Sequence, residues 1–172
     1  KRLQKVSEKT TLADTYIFDA LRLSIFRMIT LGITGFDSPV ALHSIPEAKV
    51  VLESIAENVT FYKNTLDAKS FQALSATLSQ GTKYLATHTN FNAFDRAYFI
   101  KNIANPLSKQ LYQRQKSASI PFVKETRALK TTSQTLFDKN AFDIEAFNGF
   151  PDYKTTPEKI ALGKKLFNDP IL

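Results

Sequence analysis

The sequence predicts an all-α fold, an antiparallel helical bundle of about four helices with a C-terminal irregular connector and a short final helix. Three observations lead there. Apolar residues recur at three- and four-residue steps through most of residues 1–116. Glycine is scarce, with 5 among 172 residues, where about 12 would be ordinary. Helix start and stop signals separate the apolar stripes by short connections. With 43% hydrophobic residues, a chain of this length can bury a real core.

The first helix is expected within residues 10–31. Ala13, Tyr16, Ile17, Ala20, Leu21, Ser24, Met28 and Leu31 fall on one face. Gly32 and Gly35 end that pattern, and the run from Gly32 to Pro39 reads as an ordered loop. Ser44 and Glu47 form an S-x-x-E capping box with Pro46 in the first turn, so a second helix begins there. Ala48, Leu52, Ile55, Val59 and Tyr62 line it, and it should end near Leu66. Asp67 can cap a third helix carrying Phe71, Leu74, Leu78 and Leu85, interrupted by Gly81. Polar residues from Thr87 to Asn92 mark a connection. A fourth helix follows with Ile100, Ile103, Ala104, Leu107 and Leu111 on one face, and Pro106 should kink it.

The pattern changes near Ser117. Leu136-Phe137-Asp138, Ala141-Phe142-Asp143 and Ala146-Phe147-Asn148 repeat at a step of five, which matches neither a helix face nor a strand face. Asp and Asn after each Phe suit Asx turns. Residues 117–153 therefore read as a connector laying successive Phe rings on a neighbouring surface, with one irregular helix as the competing reading. Thr156-Pro157-Glu158 is a strong helix start, and Asn168-Asp169-Pro170 a stop. This divides the chain into a bundle (1–116), a Phe-rich connector (117–153) and the start of a further domain (154–172).

The net charge of +7 comes from Lys and Arg spread along the chain, without the dense basic stripe that nucleic-acid binding requires. A basic face could help dock an acidic protein partner. No apolar run reaches the length of a membrane span. There is no cysteine, which excludes disulfides, thiolate metal sites, thiol nucleophiles and C-x-x-C-H haem attachment. The chain opens on Lys1 rather than Met, and an export signal is expected upstream.

Candidate chemistry is thin. His43 and His88 are far apart, and each reads better as a backbone-bonding residue than as a ligand. Met28, a possible haem ligand by type, sits in a helical stripe and reads as core. Asp14 with Asp19, and Glu53 with Glu57, are carboxylate pairs at spacings ordinary for solvated helix faces. No catalytic, cofactor-binding or metal-binding residue is assigned.

The most specific signal is at the end. Within Thr156–Leu172, the residues Ala161, Leu162, Gly163, Leu166, Phe167, Asp169, Pro170 and Leu172 match the pattern A-L-G-x-x-L-F-x-D-P-x-L. This segment resembles the opening helix of the bacterial di-haem cytochrome c peroxidase family, including its methylamine-utilisation relatives. The Phe-rich connector and the Gly35-Phe36-Asp37-Ser38-Pro39 loop look, more loosely, like the N-terminal helical extension of such proteins of Bacteroidetes type. The resemblance implies a non-catalytic accessory domain in an exported, periplasmic or cell-envelope oxidoreductase. The parent would carry two c-type haems and reduce hydrogen peroxide with electrons from a small redox protein. The partners implied are the haem domains of the same parent chain and that donor. A helical envelope binding module of imelysin-like type is the alternative, but its G-x-H-x-x-E motif is absent: Gly35 is followed by Phe36-Asp37-Ser38.

Because the chain has no cysteine, protein made in a host that matures c-type cytochromes should be colourless. After denaturation it should show no Soret band; a haem band that survives denaturation would contradict this.

Overall fold

The computed structural model describes residues 13–65 and 67–171. Among them the structure is all-helical, with no strand beyond an isolated bridge between Leu129 and Phe142. The residues up to Val123 form one compact unit, and those from Lys124 onward a second.

Helix α1 spans Asp14–Arg27, with an acidic residue in its first turn and a basic one in its last, as the helix dipole favours. Residues 10–12 of the expected helix lie outside the described residues. The buried face differs from the expected one. Phe18, Leu21, Arg22, Ile25 and Phe26 turn inward, whereas Tyr16 and Ala20 are exposed. Burying two Phe rings removes far more apolar surface from water than burying Ala13 and Ala20 would. Arg22 can join that stripe because its charge is met from two sides. Its Nη1 donates to Gln115 Oε1 at 3.3 Å, and its guanidinium lies 5.3 Å from the ring centres of both Tyr112 and Phe122. Gln115 Nε2 in turn donates to the Pro121 carbonyl at 3.0 Å.

α1 continues into a π-helical turn, Met28–Gly32, closed by Ile33 N–H donating to the Met28 carbonyl at 2.9 Å. Helix α2 spans Ser44–Thr60. The expected capping box does not form. Helical winding already includes Ser44, and the Glu47 N–H donates to the His43 carbonyl at 3.1 Å instead of to a Ser44 cap. Ala48, Leu52, Ile55 and Val59 are buried as their spacing predicts. α2 stops at Thr60, earlier than expected, and Phe61, Tyr62 and Lys63 make tighter bonds to the carbonyls three residues back. Leu66 lies outside the described residues.

Helix α3 spans Ala68–Thr87 and is capped by Asp67, whose side chain accepts from Ser70 N–H at 3.0 Å. Gly81 does not interrupt it. A Cβ built there would lie 2.7 Å from both Leu52 Cδ1 and Ile103 Cγ2, so the glycine is where α3 lets its neighbours approach. Helix α4 (Arg96–Phe99) is capped by Asp95, and a π-helical turn, Ile100–Ala104, joins it to helix α5 (Asn105–Ser117). The disturbance expected at Pro106 takes this form. Proline offers no N–H to the preceding turn and crowds its carbonyl, and a wider turn accommodates both effects. Ile103, Ala104, Leu107 and Leu111 are buried. In this unit α2 packs on α3, α1 on α5, and α3 on α5.

In the second unit, Lys130 N–H donates to the Ala141 carbonyl at 2.8 Å and Asp143 N–H to the Ala128 carbonyl at 2.7 Å. Ser133 Oγ also donates to the Ala141 carbonyl, at 3.1 Å. An Asx turn forms at Asp143, which accepts from Glu145 N–H at 3.0 Å. Asp138 instead accepts from residues before it, Gln134 N–H and the Thr135 hydroxyl, both at 2.7 Å. The expected packing of the Phe series is not found: Phe137, Phe142 and Phe147 are all exposed, and the small Ala141 is buried. After a 3-10 turn, Pro151–Tyr153, helix α6 spans Pro157–Phe167. It is capped by Thr156, whose Oγ1 accepts from Lys159 N–H at 3.3 Å.

Asp67 also joins α3 to α5, accepting from Arg114 Nη1 at 2.7 Å. The Ser70 hydrogen bonds, then Arg114, pull its carboxyl from 3.8 down to about 2. A lowered folded-state value means stability that is complete above 3.8 and lost as pH falls through about 2. Asp67→Asn keeps the cap but not the charge. The Tm gap between wild type and variant should therefore narrow as pH falls across this window; a constant gap would contradict the coupling.

Candidate functional site

The residues singled out by type do not converge. His43 is exposed at the foot of α2, with its N–H donating to Ser38 Oγ at 3.3 Å. His88 ends α3, stacked on Tyr84 at 4.0 Å, with Nδ1 2.9 Å from the Tyr84 carbonyl and 3.0 Å from Thr87 Oγ1. Met28 is buried core. Asp14 accepts from the Tyr62 hydroxyl at 2.7 Å, and Glu53 pairs with Lys49 at 2.7 Å. Asp19 is half-buried on α1, and Glu57 is exposed on the face of α2 that lines an open groove with Thr60 and Ser75. Among the described residues no three His, Cys, Asp or Glu side chains gather as a metal site would require.

The perturbed titrations are structural. Burial pushes Tyr62 up to about 12, helped by its bond to Asp14, and burial also raises Tyr84, followed by the nearby Asp95 charge. Glu145 is lowered by bonds from Thr155.

What the fold does build is a cleft where α1, its π-turn, the loop 33–43 and the start of α2 meet. Its volume is about 270 Å³, and its wall includes Arg27, Asp37, Ser44 and Glu47. The loop is held from a distance. Arg96 Nε donates to the Ile33 carbonyl at 2.6 Å, Nη2 to the Phe91 carbonyl at 3.0 Å and Nη1 to the Phe94 carbonyl at 3.2 Å. Its guanidinium also sits 4.4 Å from the centre of the Phe91 ring. Gly35, at φ +79°, presses against that ring: a Cβ there would lie 2.6 Å from Phe91 Cζ. Only glycine meets both the left-handed backbone and the close ring. Thr34 Oγ1 returns to the Thr30 and Leu31 carbonyls, at 2.9 and 3.0 Å. The non-glycine Leu42, at φ +54°, turns the chain into α2.

Sequence reasoning identified the Gly35–Pro39 loop as ordered but missed Arg96, which orders it. The available signal was local: Arg96 follows Phe91 and Phe94 closely, but its third acceptor, Ile33, is 63 residues away. No protein-family model, curated protein or solved structure matches the chain.

Arg96→Ala removes three charged hydrogen bonds to carbonyls and should cost roughly 3 kcal/mol. Hydrogen exchange should accelerate at the amides of Gly35, Asp37 and Leu42, which are hydrogen-bonded in this loop. Unchanged protection there would contradict the lock.

Proposed function

We propose that this chain is a non-catalytic helical accessory segment of a di-haem cytochrome c peroxidase-like oxidoreductase, followed by the opening helix of its first haem domain. The observation that carries this reading is α6. It holds most of the A-L-G-x-x-L-F-x-D-P-x-L pattern, it is capped and stopped as a discrete helix, and none of its residues is buried. Ile160, Leu162, Leu166 and Phe167 are all exposed, and nothing comes within 4 Å of a Cβ built at Gly163. An eleven-residue helix is marginal alone in water, and an apolar stripe beside an open notch suits docking on another domain. In the parent, Ile160, Leu166 and Phe167 would pack on the first haem domain, with Gly163 permitting close approach.

The residues of this segment do not fit a haem of their own. Covalent attachment lacks its cysteines, Met28 is committed to the core, and the His88 ring is stacked on Tyr84. When bound in the parent's other domains, haem would supply the peroxide chemistry. This segment would position those domains, cover a haem edge or receive the electron donor, in the periplasm or cell envelope.

Hydrogen exchange tests the reading. In the isolated chain residues 157–167 should exchange much faster than the core of α2 and α3, and they should slow in a longer chain that carries the haem domains. Equal, strong protection in both would contradict it.

A further inference from the structure

The cleft at the foot of α2 has an unmet hydrogen bond. Ser44 is fully buried and lines the cleft, and its Oγ has no hydrogen-bond partner. A buried hydroxyl loses its water without compensation unless something bonds it. The same wall carries both signs of charge. Arg27 and Asp37 stand 4.0 Å apart, with side chains 70% and 40% exposed, so the pair is loose and each partner retains bonding capacity. Glu47 adds a second carboxylate. α2 is 17 residues long, and its N-terminus contributes a partial positive charge. Met28, Ala48 and Val51 supply apolar wall, and about 270 Å³ is room for a small molecule.

We propose that this cleft binds a small zwitterion, a free α-amino acid with a short apolar side chain. Its carboxylate meets Arg27 and the Ser44 hydroxyl at the helix start. Its ammonium meets Asp37 and Glu47, and its side chain lies against Met28, Ala48 and Val51. A simple anion would satisfy Arg27 and Ser44 but face two carboxylates. A simple cation would satisfy the carboxylates but face Arg27 and the positive helix end. A zwitterion answers both, and this holds whatever the haem domains do.

The test is titration of the full chain with L-valine, sodium acetate and methylammonium chloride, read by amide chemical shifts. Valine should move the amides of Gly32, Ser44 and Ala48 with a Kd of about 1 mM or below, and the two half-ligands should bind at least about tenfold more weakly. Arg27→Gln and Asp37→Asn should each weaken valine binding about tenfold. Ser44→Ala separates binding from folding. It removes an unsatisfied hydroxyl, so the Tm of the free protein should hold or rise while valine affinity falls. Unchanged valine affinity in Ser44→Ala would overturn the proposal. So would acetate or methylammonium binding as tightly as valine, or valine producing no shift localised to the cleft.

Discussion

The first unit depends on the close approach at Gly81. Leu52 of α2 and Ile103 of the second π-turn both come to 2.7 Å of where a side chain would begin on α3. Three segments thus share one point of contact that has no space for even a methyl group. The large buried side chains around it, Leu52, Ile55, Leu74, Leu85, Phe99 and Ile103, can interdigitate because the backbones are this near. Close packing of that kind makes each neighbour's position depend on the others.

The cleft inherits its geometry from this point. α2 carries Ser44 and Glu47 at one end and Leu52 at the Gly81 contact. Ile103 belongs to the π-turn that follows α4, and α4 begins with Arg96. Arg96 holds the Ile33 carbonyl and so the loop that closes the cleft. A buried cation on α1 does similar work elsewhere: Arg22 ties α1 to α5 through Gln115 and to the segment beyond α5 through Phe122. In both places a guanidinium serves where an apolar residue could not, because it bonds carbonyl or amide oxygens while its flat face lies on aromatic rings.

Helix existence was legible because it rests on local signals. Apolar spacing located every long helix, and Asp67 and Thr156 act as the caps their positions imply. The readings that failed needed information from across the chain. Gly81 looks like an interruption from propensity alone, since Leu52 and Ile103 are not its sequence neighbours. Ser44 and Glu47 have the residue types of a capping box, but His43 starts the helical bonding instead. Tyr16 and Ala20 fit a helical period, yet Phe18 and Phe26 win the interior by size. Phe137, Phe142 and Phe147 suggested a packed series, whereas turn bonds and the small Ala141 organise that segment. Of the cleft, the ordered glycine loop was foreseeable. The convergence of Arg27, Asp37 and Ser44 was not, because it depends on where α1 and α2 meet.

The packing constraint at Gly81 can be measured by a double-mutant cycle in urea. Gly81→Ala forces a methyl into occupied space, and Leu52→Ala opens part of that space while costing about 2–5 kcal/mol by itself. If the contact sets the spacing of the unit, Gly81→Ala should cost markedly less in the Leu52→Ala background, with a coupling of about 0.5–3 kcal/mol. Costs that add within about 0.5 kcal/mol would show that α3 does not depend on this approach and would contradict the account.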